Sequence, residues 1–133
     1  MRILITASRN WEGPEAERKI YEVLSAAHTL ATALGSPLTV VHGDCPTGGD
    51  AIADRWARRR DSDGVTVEPH PAQWGTYGKG AGFIRNGVMV NKGADLCVAF
   101  IRDNSKGATD CLSRAWEAQI PGFVVNWGDL WRS

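Results

Sequence analysis

The chain has 133 residues, 43% of them apolar, which is enough to bury one core and too few to divide comfortably into two, so a single domain over 1–133 is expected. Fifteen basic and fifteen acidic residues cancel, which removes the global field that draws proteins to nucleic acid or anionic membranes and leaves only local anion sites. Cys45, Cys97 and Cys111 are odd in number and lack a CxxC spacing, against a disulfide framework or zinc ribbon and in keeping with a reducing compartment. The N-terminus has no signal-peptide architecture and no apolar stretch approaches bilayer length, so a soluble cytoplasmic protein without membrane partners is expected.

Residues 2–6 form a short β-branched run suited to a strand buried on both faces, ending at the polar Ser8-Arg9-Asn10. From Pro14, the residues Ile20, Val23, Leu24, Ala27, Leu30, Ala31 and Leu34 follow helical spacing, with Gly35 after the last. Residues 38–41 are a second apolar run. The loop Gly43-Asp-Cys-Pro-Thr-Gly-Gly49-Asp50 follows, then a helix with Ile52, Ala53, Trp56 and Ala57 on one face. Residues 65–68 read as a third, weaker strand flanked by Pro69 and Pro71. A glycine-rich segment, Trp74-Gly-Thr-Tyr-Gly-Lys-Gly-Ala-Gly82, leads into residues 83–90, whose apolar positions allow a helix that Gly87 weakens. Residues 96–101 are a strong fourth strand, 102–107 a polar loop, 108–118 a helix and 123–125 a fifth strand. Strands alternating with helices predict an α/β Rossmann-like domain of three layers, with a mostly parallel five-stranded sheet in the order 3-2-1-4-5.

In such a sheet ligands bind beyond the carboxyl ends of the strands, where the order reverses. Here that crevice lies between residues 6–11 and 102–107, with residues 43–50 beside it. Glycines and successive N–H groups leading into a helix suit a phosphate in the 43–50 loop; equally, Gly48 and Gly49 could make a tight turn that Asp50 caps. The loop lacks the Lys and Ser/Thr ending of a P-loop. The run Gly78-Lys-Gly-Ala-Gly82 imitates a dinucleotide fingerprint without following a clear strand; its use is to carry Lys79 toward Arg85 and Asn86 at a helix start. Arg85 lies in an apolar stretch where an unpaired charge is costly, so it needs a partner: Asp95, Asp103 or a ligand phosphate. Trp11, Trp74 and Tyr77 fall on site-side loops, where aromatic rings either stack on a base or pin the loop to the body. His42 and Cys45 have the spacing of half a metal site with no second pair, so neither a metal nor a cofactor is expected. Trp127 and Trp131 offer apolar surface that would cover a sheet edge or meet a second copy of the chain.

These blocks together resemble a known family. Thr6-Ala-Ser-Arg-Asn-Trp11, Val41-His-Gly-Asp-Cys-Pro-Thr-Gly-Gly-Asp-Ala-Ile-Ala53, Gln73-Trp-Gly-Thr-Tyr-Gly-Lys-Gly-Ala-Gly-Phe-Ile-Arg-Asn86, Val98-Ala-Phe100 and Ser105-Lys-Gly-Ala108 are similar, in order and spacing, to the YspA/cpYpsA-related SLOG family. Its superfamily includes the "Lonely guy" phosphoribohydrolases and the lysine decarboxylase-like proteins. The resemblance implies a prokaryotic or phage protein with a Rossmann-like fold and a nucleotide-type ligand. It puts Ser8 and Arg9, Gly43, Gly48, Gly49 and Asp50, Arg85 and Asn86, and Ser105, Lys106, Gly107 and Ala108 on the ligand or its phosphate, and the glycine-rich segment adds Lys79 as a further phosphate binder. Residues 105–108 stand where the phosphoribohydrolases carry a PGGxGT loop, without its proline and paired glycines, and Asp110 is only near that motif's glutamate. Three functions follow: binding or sensing a nucleotide; cleaving an N-glycosidic bond with Asp50 or Asp110 as the carboxylate; and binding single-stranded nucleic acid, which the neutral net charge disfavours.

Overall fold

The computed structural model describes residues 1–131. Strand β1 (Arg2–Ala7) lies at the centre of an all-parallel sheet, flanked by β2 (Leu38–His42) and β3 (Val65–Pro69) on one side and β4 (Leu96–Ile101) and β5 (Gly122–Asn126) on the other. The order is 3-2-1-4-5, so the chain reverses direction across the sheet between β1 and β4. The helices are α1 (Pro14–Ala33), α2 (Gly48–Arg58), the single turn α3 (Trp74–Tyr77), α4 (Ala81–Lys92) and α5 (Lys106–Glu117).

Strand side chains alternate between two faces, and the core divides accordingly. Ile3, Ile5, Val40, Val98 and Phe100 point toward Ile20 and Leu24 of α1 and Ile52 and Trp56 of α2. Leu4, Val41, Cys97 and Ala99 point toward Met89 and Val90 of α4 and Cys111, Leu112 and Ala115 of α5. Helices therefore cover both faces, and each fully buried Leu or Ile contributes about 1.5–3 kcal/mol relative to exposure.

Helix starts depart from expectation in informative ways. Helix α5 begins at Lys106, two residues before the apolar spacing suggests, because the Ser105 hydroxyl accepts the Ala108 N–H at 3.4 Å and caps the first turn. Gly87 does not interrupt α4. A Cβ there would lie 3.3 Å from an Arg114 nitrogen of α5, so this glycine leaves room for that guanidinium beside α4. No helix among the described residues is long and apolar enough to cross a membrane.

Trp11 is fully buried rather than open to a ligand. Its ring meets Phe100 and Trp127 edge-on, both at 5.3 Å between centroids, and its indole N–H donates to the Ala16 carbonyl at 3.0 Å. Burying the whole ring against the core outweighs presenting one face to water, and the loop is pinned to the body. Trp127 is covered in turn by the Arg102 guanidinium, 4.0 Å above its ring, which ties the C-terminal turn Trp127–Trp131 to the end of β4.

Candidate functional site

The carboxyl ends of β1, β2 and β4 open into a cleft of about 420 Å³ at the strand-order reversal. Two of the loops there hold residues in the left-handed region, Asp44 after β2 and Asp103 and Asn104 after β4, with φ of 56°, 56° and 52°. Asp and Asn tolerate that region better than other non-glycine residues.

Of the residues singled out in the sequence, Ser8, Arg9, Gly43, Asp50, Trp74, Lys79, Arg85, Asn86, Ser105, Gly107 and Ala108 line this cleft. Gly48, Gly49, Lys106, Tyr77 and Asp110 do not. Thr6, Ala7, Asn10, Cys45, Gly82, Phe83, Met89, Arg102 and Asp103 complete the lining. Gly82, Arg85 or Asn86, and Met89 follow helical spacing, a signal in the sequence that the weakened expectation for residues 83–90 obscured.

Arg85 reaches across from α4. Its Nη1 donates to the Gly43 carbonyl and, at 3.4 Å, to the His70 carbonyl, while Nε donates to Asn86 Oδ1 at 3.0 Å. Neither of the carboxylates considered as its partner is there: Asp95 accepts the Arg2 backbone N–H, and Asp103 takes Asn10 and Arg102. Among the described residues no carboxylate lies within ion-pair distance of Arg85. Neutral carbonyls hold the guanidinium in place without neutralising it. Asn86, itself buried, donates to the Gly107 carbonyl and to Asp110, so α4 and the start of α5 are locked together behind Arg85. Arg9 stands over Trp74 at 5.4 Å across the cleft, and Lys79 is exposed at its rim.

Several expected binders are already occupied. The Ser8 hydroxyl accepts the Arg102 N–H at 2.8 Å and donates to the Arg102 carbonyl at 3.1 Å, clamping β1 to β4. Asp110 pairs with Arg114 at 2.9 Å and accepts from Asn86. The 43–50 loop owes its glycines to packing. Gly48 has φ +73°, and a Cβ there would lie 2.5 Å from the Ser8 carbonyl oxygen; one on Gly49 would run into the Ala7 side chain. The Gly49 N–H points at the Ser8 carbonyl, 3.5 Å away, so the loop's paired glycines face the β1 loop instead of an anion.

Asp50 is different. It is 4% exposed, and its Oδ2 accepts the Cys45 N–H at 3.3 Å while Oδ1 has no hydrogen-bond partner. Burial raises its pKa above the ordinary carboxylate value, against the Cys45 N–H hydrogen bond and the Arg85 charge. Burial likewise pushes the Cys45 thiol up, reinforced by the Asp50 charge. Both ring nitrogens of His42 are engaged. Nε2 lies 2.8 Å from Asp54, and Nδ1 accepts the Asp44 N–H at 2.9 Å, which assigns the proton to Nε2 and lets the ring brace the loop. Beneath the cleft, the buried thiols of Cys97 and Cys111 meet; their mutual hydrogen bond and burial push Cys97 up.

An all-parallel 3-2-1-4-5 sheet with a cleft at its reversal defines a Rossmann-like α/β protein. Comparison with known proteins narrows this: the chain belongs to the YspA, cpYpsA-related SLOG family, whose family model matches residues 1–77. It is 42% identical over 130 residues to the "Gene 61 protein" of Mycobacterium phage D29, covering 96% of this chain and 97% of the phage protein. No solved structure matches it significantly.

Proposed function

We propose that the cleft binds a phosphate-bearing, nucleotide-type small molecule, with Arg85 gripping the phosphate. The observation that carries this reading is a half-buried guanidinium facing a cleft, oriented by carbonyls and lacking a carboxylate partner. Leaving such a charge uncompensated is costly, and a phosphate satisfies it through paired, charge-assisted hydrogen bonds. Arg9 and Lys79 add positive potential at the mouth, and the amides at the start of α5 add helix-end donors. Membership of the SLOG family supports a nucleotide-related ligand. The three cysteines, free of disulfides, suit a reducing cytoplasm.

A second reading, cleavage of an N-glycosidic bond, draws on Asp50, a buried carboxyl in the cleft with a raised pKa. Asp110 is less suited, since Arg114 and Asn86 already hold it.

The test is calorimetric titration of nucleoside monophosphates and the matching nucleosides into the wild type and into Arg85→Ala and Arg85→Lys, with the products separated afterwards. Charge-assisted bonds of about 1.5–3 kcal/mol each predict that Arg85→Ala weakens phosphate binding roughly ten- to a thousandfold. Arg85→Lys keeps the charge without the planar fork and should weaken it less. Among the described residues Arg85 makes no ion pair and acts on the buried Asp50 carboxyl only through its charge, so the melting temperature of Arg85→Ala should fall by only a few degrees. Nucleosides binding as tightly as their phosphates would overturn the phosphate reading. Intact nucleotide recovered after incubation favours binding, and free base favours cleavage.

A further inference from the structure

The two ends of the sheet are guarded differently. On the β3 side the chain carries Asp61, Asp63 and Glu68, and Pro69 closes the strand without an N–H to offer. Charges and prolines of this kind keep an open strand from pairing with another chain. On the β5 side residues 118–128 carry no charge, and two half-exposed aromatic rings stand at the edge, Phe123 at 47% and Trp116 at 53%. The pairing with β4 decides which backbone groups of β5 are free. The Cys97 N–H donates to the Pro121 carbonyl at 2.8 Å, so alternation turns the backbone of residues 121, 123 and 125 toward β4 and that of Gly122, Val124 and Asn126 outward. The Trp116 indole N–H, donating to the Gly122 carbonyl at 3.1 Å, agrees with that direction. Among the described residues no strand lies beyond β5 to meet the others.

This edge is complementary to itself. With two copies antiparallel across a two-fold axis at Val124, that residue meets its own counterpart and exchanges both backbone hydrogen bonds, and Gly122 faces Asn126 of the second copy. On the sheet face that carries α1, Phe123 then lies beside Val125 of the second copy. On the other face, the second copy's Trp116, fastened beside Gly122, arrives next to Asn126, at a groove of about 670 Å³ that Phe83, Ile101, Val124 and Asn126 line. A two-fold axis sets each charge near its own kind, so an uncharged segment is what self-pairing requires. The half-exposed rings supply on the order of 200 Å² of apolar surface per copy, well under the roughly 800 Å² of a standard interface. Main-chain hydrogen bonds therefore carry much of the affinity, and the pairing is reversible.

We infer that β5 is a dimerisation edge whose occupant is a second copy of this chain: the two β5 strands pair antiparallel about Val124 and join the two sheets into one.

Sedimentation velocity of the full chain over a wide range of concentration tests this, and the wild type should pass reversibly from monomer to dimer as concentration rises. Val124→Pro removes an outward N–H and no bond to β4, so it should weaken the dimer roughly ten- to a hundredfold while circular dichroism shows the fold intact. Phe123→Lys should weaken it too, more at low salt than at high. The register has its own check: facing Cα atoms about 5.5 Å apart are within reach of a disulfide. Val124→Cys should therefore cross-link two copies when diamide takes up two electrons and two protons from the paired thiols, whereas Asn126→Cys, which faces Gly122, should not. A wild type that stays monomeric throughout would overturn the inference, as would a dimer that Val124→Pro and Phe123→Lys leave unchanged or one that cross-links through Asn126→Cys and not through Val124→Cys. If Val124→Pro fails to fold, Phe123→Lys and the two cysteine variants decide.

Discussion

Two glycine-rich segments border the cleft, and they are glycine-rich for opposite reasons. In residues 43–50 every glycine is crowded: Gly48 against the Ser8 and Arg9 carbonyls, Gly49 against Ala7, Gly43 against the Arg85 guanidinium. In residues 75–80 a Cβ on Gly75, Gly78 or Gly80 would meet nothing within 4 Å. The first segment needs glycine because its neighbours, backbone at Gly48 and side chains at Gly43 and Gly49, fill the space a Cβ would take; the second is sterically open, with a positive φ only at Gly78. Glycine content alone therefore indicates neither a phosphate cradle nor a hinge. What surrounds the missing side chain decides between them.

Substitutions can break this contrast. The largest effect is expected at Gly48→Ala, which combines a left-handed φ with a collision against two backbone carbonyls. Strain and overpacking together should cost about 2–4 kcal/mol, read as a fall in melting temperature of roughly 10 °C. A loss under about 1 kcal/mol would mean that the β1 loop yields easily. Gly43→Ala should be intermediate and of another kind. Its Cβ would lie 2.5 Å from Arg85 Nη1, the far end of a flexible side chain, so the guanidinium moves and the backbone stays. Stability should change by less than about 1 kcal/mol while phosphate affinity falls on the order of tenfold, a split that calorimetry and thermal melting resolve together. Smallest is Gly80→Ala, at φ −82° with open space around it. Removing conformational freedom from the unfolded chain should raise stability by about 0.4–1 kcal/mol and leave affinity unchanged. A marked loss there would show the segment to be packed after all.

Much of the fold was legible because its signals are local. Buried apolar runs mark β1, β2 and β4, shorter apolar runs mark the edge strands β3 and β5, helical spacing marks the long helices, and the 3-2-1-4-5 order places the crevice between the loops after the first and fourth strands. The site was legible to a lesser depth. Arg85 stood out as a charge in an apolar stretch, but its carbonyl partners, Gly43 and His70, are 42 and 15 residues away and carry no side-chain signature. Ser8 illustrates the same limit: its position was readable, and the commitment of its hydroxyl to Arg102, 94 residues on, was not. Trp11 lies on the site-side loop as expected, yet the pocket that buries it is made by Phe100 and Trp127 from the other end of the chain. The orphaned oxygen of Asp50 is a property of the assembled wall, where the helix start, the β2 loop and α4 meet.

The cleft wall is stitched from both halves of the chain, with Ser8, Gly43 and Asp50 from the segment matched by the family model and Arg85, Asn86 and Ser105 beyond it. A molecule lodged there acts as a strut between the halves as well as cargo. Its binding free energy adds to their cohesion, so whatever loosens the seam weakens occupancy by the same amount, and occupancy in turn holds the seam closed.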